Sequence, residues 1–198
     1  MFLTKFVYPY VSLVVTIAFL VFLAALALRL IFNYTDPNPF GKIGRFSYHL
    51  KKRTDRFVYP AARFLANYRI DTRLAPLLTL LIAGILTYIA LQIVFNTFYV
   101  IDGITESIKT GNVSAFIGFV LYGLLSALVI FIYIRFISQW FVFTRNTFLG
   151  FVMRVTNPIL LPVQKLIPPI GMFDISALLV LLFIGLLQTL VLKFFVFA

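Results

Sequence analysis

The chain has 198 residues, of which 62% are hydrophobic and only 12% are charged. A soluble domain has about a quarter charged residues, so this composition argues against a protein folded in water, including a soluble one with four buried core helices. The net charge is +11. Because the bases lie in short connections between apolar stretches, they indicate membrane topology and contact with anionic lipid rather than nucleic acid.

Four uncharged stretches are long enough to cross the hydrocarbon, which needs about 20 apolar residues. They predict an all-α membrane fold with transmembrane helices at about 7–33, 74–101, 113–142 and 174–197. Lys5, an apolar stretch and Ala25-Leu26-Ala27 also resemble a signal peptide. The stretch is longer than such a region usually is and has an internal counterpart, so we expect the first helix to be retained.

Each pair of crossings is joined by a segment that we expect to lie on the membrane surface. In the first, about 40–66, Phe46, Leu50 and Phe57 fall at helical spacing among basic residues, a pattern typical of an interfacial amphipathic helix. Pro60 should end or kink it. The second, about 146–166, has a similar stripe, with Pro158 and Pro162 expected to stop it. The alternative is two solvated loops with incidental aromatic residues.

The lysines and arginines predict the orientation of the chain. The first connection contains nine of them and the third contains Arg145, Arg154 and Lys165. The middle connection, about 101–112, has Asp102 and Glu106 against one lysine. Since bases accumulate on the cytoplasmic side, the first and third connections should be cytoplasmic and both termini extracytoplasmic, in a bacterial inner membrane.

The sequence repeats itself. Residues Thr54–Arg63 align without gaps on Thr156–Lys165, with threonine, a later proline and a base recurring 102 positions apart. Arg29 aligns with Arg135, and Asp71 with Asp174. We therefore expect two tandem helical-hairpin repeats, 1–100 and 113–198. A unit with two crossings returns to its starting side, so the two copies should share one orientation.

The second copy carries the motifs of a known family. Arg135, Thr156-Asn157-Pro158 with Pro162, Ile167-Pro168-Pro169-Ile170-Gly171 and Phe173-Asp174-x-Ser176 together resemble the YggT family. In the first copy Arg56 replaces the Thr-Asn-Pro proline, and Asp71-Thr72-Arg73 is a looser form of Asp-x-Ser. The resemblance implies small membrane proteins with one or two such units, linked to osmotic-stress tolerance, envelope or division organisation and membrane-complex assembly, with no settled reaction or substrate.

No residue pattern indicates an enzyme, a cofactor or a metal site, since hydrolase, nucleotide and metal motifs are missing and His49 is the only histidine. The polar residues of interest are Arg29 with Asp71 and Arg135 with Asp174. Each aspartate near a helix start and each arginine near the preceding helix end could form a structural clamp. The alternatives are a snorkelling arginine beside an ordinary cap or a ligand site. Residues predicted to contact lipid or a partner are Lys42, Arg45, Lys51, Lys52, Arg53, Arg56, Arg154 and Lys165.

These features favour a non-enzymatic scaffold, assembly or osmotic-stress-protection factor whose basic cytoplasmic face meets anionic lipid. We expect the protein to belong to a larger membrane protein complex or to form a homo-oligomer, and we do not expect it to bind nucleic acid. The alternative is a small channel or transporter subunit that responds to osmotic stress, with Arg29 and Arg135 lining an anion path.

Overall fold

The computed structural model describes residues 1–35, 38, 40–140, 147–167 and 175–197, the side chains of 139, 140 and 175 excepted. Every regular element within these residues is helical. A π-helical turn, Leu3–Val7, leads into the first helix, and a 3-10 turn, Thr72–Leu74, precedes the third. The α-helices are α1 (Tyr8–Thr35), α2 (Lys42–Asn67), α3 (Ala75–Thr110), α4 (Val113–Trp140), α5 (Thr147–Leu166) and α6 (Ile175–Phe195).

Four helical stretches in the described part of the chain are long and apolar enough to cross a membrane. They are Leu3–Thr35, Thr72–Thr110, Val113–Ser138 and Ser176–Phe195. Even α6, with 21 residues, spans about 31 Å at 1.5 Å per residue, which matches the hydrocarbon core. The chain is thus an all-helical, multi-pass membrane protein.

The exposed surface of these helices is largely apolar. On α6, Leu178, Leu182 and Leu186 are each more than half exposed. Exposing a row of leucines to water would cost free energy. Exposing it to lipid tails would not, because the tails are as apolar as the side chains. Hydrocarbon is therefore the solvent that this face requires.

Helix α3 is longer than the second span that the sequence predicted. The sequence placed its end near residue 101 and a connection at 101–112, but α3 continues as helix to Thr110. Gly111, with a positive φ of 65°, then turns the chain into α4. Charges at Asp102 and Glu106 marked the end of the apolar run, but they do not prevent helix formation.

The prolines lie inside α2 and α5, and Pro158 and Pro162 do not stop α5 as predicted. α2 runs through Pro60 to Asn67, and α5 runs through Pro158 and Pro162 to Leu166. A proline deprives the carbonyl four residues earlier of its partner. Pro158, Pro162 and the deprived residue Arg154 all lie on the exposed side of α5, where that carbonyl can be solvated. The prolines are therefore tolerated inside the helices.

The chain divides into two compact units, each with its own core. We call Tyr10–Leu91 the α2 unit, and Met1–Pro9 with Gln92–Ala198 the α5 unit. In the α2 unit the core comprises Leu26 of α1, Val58, Ala61 and Leu65 of α2, and Ala75 of α3. In the α5 unit it comprises Ile132, Leu160, Ala177, Val180 and Ile184.

Small and polar residues bring the helices of the α5 unit together. Gly118 of α4 lies so close to α6 that an added Cβ would stand 2.6 Å from the Cβ of Phe195. The Ser126 hydroxyl accepts a 2.9 Å hydrogen bond from Gln188, which links the same two helices. The hydrophobic effect does not bring helices together in lipid. The attraction between α4 and α6 therefore comes from close packing and from hydrogen bonds such as this one.

Candidate functional site

Arg29 lies near the end of α1 and is nearly buried, with 11% of its side chain exposed. Its Nη1 donates to the Thr54 hydroxyl at 2.6 Å and to the Lys51 carbonyl at 3.0 Å. Its Nη2 donates to the Asp55 carboxylate at 2.6 Å. One arginine thus joins α1 to residues 51–55 of α2, little more than one helical turn, through charge-assisted hydrogen bonds.

Thr54 is placed to receive this arginine by the packing of α2. Its side chain is buried, and its hydroxyl donates to the Leu50 carbonyl at 2.7 Å. With its proton committed to the helix backbone, the oxygen presents lone pairs to Arg29. Val58, one turn further along α2, packs in the core beside Leu26. The apolar contacts therefore hold the acceptor at a fixed depth.

The α5 unit contains the same combination of residue types. Nη1 of Arg135 donates to the Thr156 hydroxyl at 3.0 Å and to the Asn157 side-chain oxygen at 2.7 Å. The Thr156 hydroxyl donates in turn to the Val152 carbonyl at 2.9 Å. Arg135 follows the buried Ile132 by three residues, as Arg29 follows Leu26. The main difference is an amide at 157 where the α2 unit has the carboxylate of Asp55.

The predicted pairing of Arg29 with Asp71 is not the one that the structure forms. Arg29 bonds to Asp55, while the Asp71 carboxylate accepts the backbone N–H of Arg73 at 2.8 Å and caps its own 3-10 turn. The reason is that α2 packs along α1 and presents Thr54 and Asp55 directly to the arginine. Asp174, the predicted partner of Arg135, lies outside the described residues.

A cavity of about 450 Å³ opens beside Arg29 within the α2 unit. Lys51 and Arg73 contribute two further bases to its wall, and Asn33 and Thr72 contribute uncharged polar groups. No acid lines it among the residues that the structure describes. In that same part of the chain no three His, Asp or Glu side chains lie close enough together to share a metal ion. The wall is thus suited to an anion.

The predicted lipid-contact residues lie mostly on the surface. Lys51 is the exception, since it is partly buried at the cavity. Phe46 and Phe57, the predicted apolar stripe of α2, are about half exposed, and each meets a phenylalanine of α1 edge to face. The other seven bases are exposed: Lys42, Arg45, Lys52, Arg53 and Arg56 on α2, and Arg154 and Lys165 on α5.

The buried stripe of α2 differs from the stripe that the sequence suggested. It consists of small residues in the first half and apolar ones in the second, namely Gly44, Ser47, Thr54, Val58, Ala61 and Leu65. At 100° per residue, Arg45, Lys52 and Arg56 fall on the opposite side of the helix. Phe46 and Phe57 lie between the two. α2 therefore has a packed face, an aromatic flank and a basic face.

Sequence reasoning missed the role of Asp102. Its buried carboxylate accepts the backbone N–H groups of Phe2, Leu3 and Thr4 at 2.7–3.1 Å, as well as the Thr4 hydroxyl. These are orphan donors at the start of a helix, which an acid stabilises. The available signal was an acid directly after a long uncharged run, which we interpreted as the start of a connection.

Comparison with known proteins identifies the second half of the chain. Residues 114–195, which run from the start of α4 to the end of α6, match the CCB3/YggT family model. This match covers less than half of the chain. Comparisons with curated proteins and with solved structures gave no match. The predicted resemblance is confirmed for these residues: this chain is a multi-pass membrane protein in which residues 114–195 match the CCB3/YggT family model.

Proposed function

We propose that the protein is a non-enzymatic scaffold, assembly or osmotic-stress-protection factor that acts through a basic cytoplasmic face. The observation that carries this proposal is the exposed basic face of α2, formed by Arg45, Lys52 and Arg56 opposite its packed face. Each base near an anionic membrane surface contributes about 1 kcal/mol of attraction. The five exposed bases of α2 named above would hold the helix firmly against such lipid.

In this proposal α2 and α5 lie along the cytoplasmic interface of a bacterial inner membrane, and both termini are extracytoplasmic. Support comes from the nine lysines and arginines between α1 and α3, because the excess of bases in short loops sets orientation. The aromatic flank at Phe46 and Phe57 suits the headgroup boundary, where rings of this kind are accommodated beside apolar chains.

We also propose that the α2 unit is a second, diverged copy of the family domain, in the same orientation. The support is the repeated contact of an arginine with a threonine and the next residue, at Thr54-Asp55 and at Thr156-Asn157. The core residues Val58 and Leu160 occupy equivalent positions in the alignment.

Growth of cells lacking the protein, complemented by variants and shifted to high osmolarity, tests the scaffold proposal. Changing Arg45, Lys52 and Arg56 together to glutamine should reduce growth after the shift toward that of cells without the protein, because the basic face loses three charges. The control changes Lys5, Lys109 and Lys193 to glutamine, which removes three positive charges from outside this face. Membrane protein levels must match. Equal growth of both triple variants would contradict the proposal.

The channel alternative requires Arg29 and Arg135 to line an anion path. Both arginines already donate hydrogen bonds within their own units, which leaves fewer donors for a passing anion. Flux from liposomes containing the purified protein separates the two proposals. We expect no flux above that of empty liposomes. Solute flux that disappears when both arginines are changed to glutamine would overturn the scaffold proposal.

A further inference from the structure

We propose that the cavity beside Arg29 binds the phosphate group of an anionic phospholipid. The cavity is built entirely within the α2 unit, where the end of α1 meets α2 and the 3-10 turn before α3. This inference rests on the proposed function in one respect, because it needs α2 to lie at the level of the lipid headgroups.

The charges around the cavity favour an anion. Arg29 is matched by Asp55 at 2.6 Å, so its charge is largely compensated. Lys51 and Arg73 form no ion pair with any residue that the structure describes. Within the described part of the chain no acid lines the wall, which therefore keeps an excess of about two positive charges. An oxyanion is the ligand that would compensate this excess and accept hydrogen bonds from both bases.

The apolar part of the wall favours a lipid over a free ion. Val58, Ala62 and Pro76 line the cavity together with the bases. A phosphate ion would gain nothing from these side chains, whereas the glycerol and first methylenes of a phospholipid would bury apolar area against them. The volume of about 450 Å³ lies within the range of small-molecule sites and exceeds what a single phosphate fills.

The basic wall belongs to the first half of the chain. When the gapless alignment that begins at Thr54 and Thr156 is extended three residues upstream, Lys51 is paired with Met153. Lys51→Met thus introduces the residue that the other half of the chain has at the equivalent position in its own surface helix. This substitution keeps a long, flexible, apolar stem and removes only the charge, so it serves as a test of the site.

Binding can be measured on the full-length protein in an uncharged detergent by native mass spectrometry, with dioctanoyl phosphatidylglycerol as the probe. We expect one saturable lipid per chain. The double change Lys51→Met and Arg73→Gln should weaken this binding about tenfold or more, since it removes two charge-assisted bonds. The control, Lys109→Met and Lys193→Gln, removes two charges from exposed positions outside the cavity and outside the basic face of α2, and should change the affinity less than about twofold.

Two further probes identify the ligand. Dioctanoyl phosphatidylcholine should bind less tightly because its choline cancels the negative charge. Inorganic phosphate should not displace the lipid at equal concentration. Equal weakening by both double variants, absence of a saturable lipid, or displacement by inorganic phosphate would each overturn the assignment. The triple variant of the basic face distinguishes this site from the proposed function. If that variant fails to support growth but still binds the lipid, the site is separate from the basic face. If that variant supports normal growth, the proposed function fails and the lipid site is unaffected.

Discussion

Arg29 donates hydrogen bonds to partners of very different exposure. Asp55 is 62% exposed, whereas Thr54 is buried. Exposed ion pairs contribute about 0–1 kcal/mol, and hydrogen bonds from a charged group to buried acceptors contribute about 1.5–3 kcal/mol. We therefore predict that Asp55→Asn lowers the free energy of unfolding by less than about 1 kcal/mol and Arg29→Met by about 2 kcal/mol, measured by SDS-induced unfolding in mixed micelles.

The α5 unit supplies the matched control for this prediction. Asn157 stands where the α2 unit has Asp55, and it accepts from Arg135 at 2.7 Å. Asn157→Asp should consequently be tolerated, because it places at 157 the acid that position 55 already has. If Asp55→Asn proved as damaging as Arg29→Met, charge pairing rather than bonding to Thr54 and the Lys51 carbonyl would hold α1 to α2.

At the residue scale, the sequence indicated which polar side chains are important better than it indicated which residues they bond to. Arg29 and Arg135 were identified from their position at the ends of apolar runs, and Thr54 and Thr156 from the repeat. The choice of Asp71 was wrong because hydropathy gives the depth of a residue but not the rotation of α2 about its axis. That rotation depends on small buried residues such as Gly44 and Ser47, which carry little periodic signal.

At the scale of elements, α4 and α6 provide a test of close helix packing. A Cβ at Gly118 would stand 2.6 Å from the Cβ of Phe195, but a Cβ at Gly185 would meet nothing within 4 Å. We predict that Gly118→Ala lowers the free energy of unfolding by about 1–3 kcal/mol, because the helices must separate. Gly185→Ala should be neutral or stabilising by up to about 1 kcal/mol. The same unfolding assay in mixed micelles measures both.

Because both changes add the same methyl group to a helical glycine, helix propensity cancels in their difference. A loss of stability at Gly118 no larger than at Gly185 would show that α4 and α6 do not depend on this approach. The Ser114 hydroxyl, which donates to the Phe195 carbonyl at 3.1 Å, offers a second probe. Ser114→Ala should have the smaller effect, about 1 kcal/mol.

The elements themselves were largely predictable from the sequence, and their ends were not. Long uncharged runs give the existence of a spanning helix because few other structures satisfy the backbone in hydrocarbon. They do not show where a helix ends after the first charged residue, and α3 continues to Thr110, past the predicted end of the span. Pro158 and Pro162 were expected to stop α5, but the helix continues because the carbonyl that loses its hydrogen-bond partner lies on the exposed side.

For the whole molecule, the membrane class follows from composition alone, whereas the orientation depends on a bias in basic residues. The complete absence of cysteine makes that bias testable, since a single introduced thiol reports its own location. Suitable positions are exposed and lie at opposite ends of the spans: Thr110 at the end of α3, Asn67 at the end of α2, and Leu166 at the end of α5.

We predict that a membrane-impermeant maleimide added to intact cells labels Thr110→Cys and leaves Asn67→Cys and Leu166→Cys unlabelled. Lysis should expose the latter two, and this establishes that they are reactive. The expectation follows from the nine bases between α1 and α3, which resist transfer across the membrane, against a single lysine beside Asp102 and Glu106 in the connection between α3 and α4. Labelling of Asn67→Cys but not Leu166→Cys in intact cells would instead place the two surface helices on opposite sides, and the shared orientation of the two halves would then be wrong.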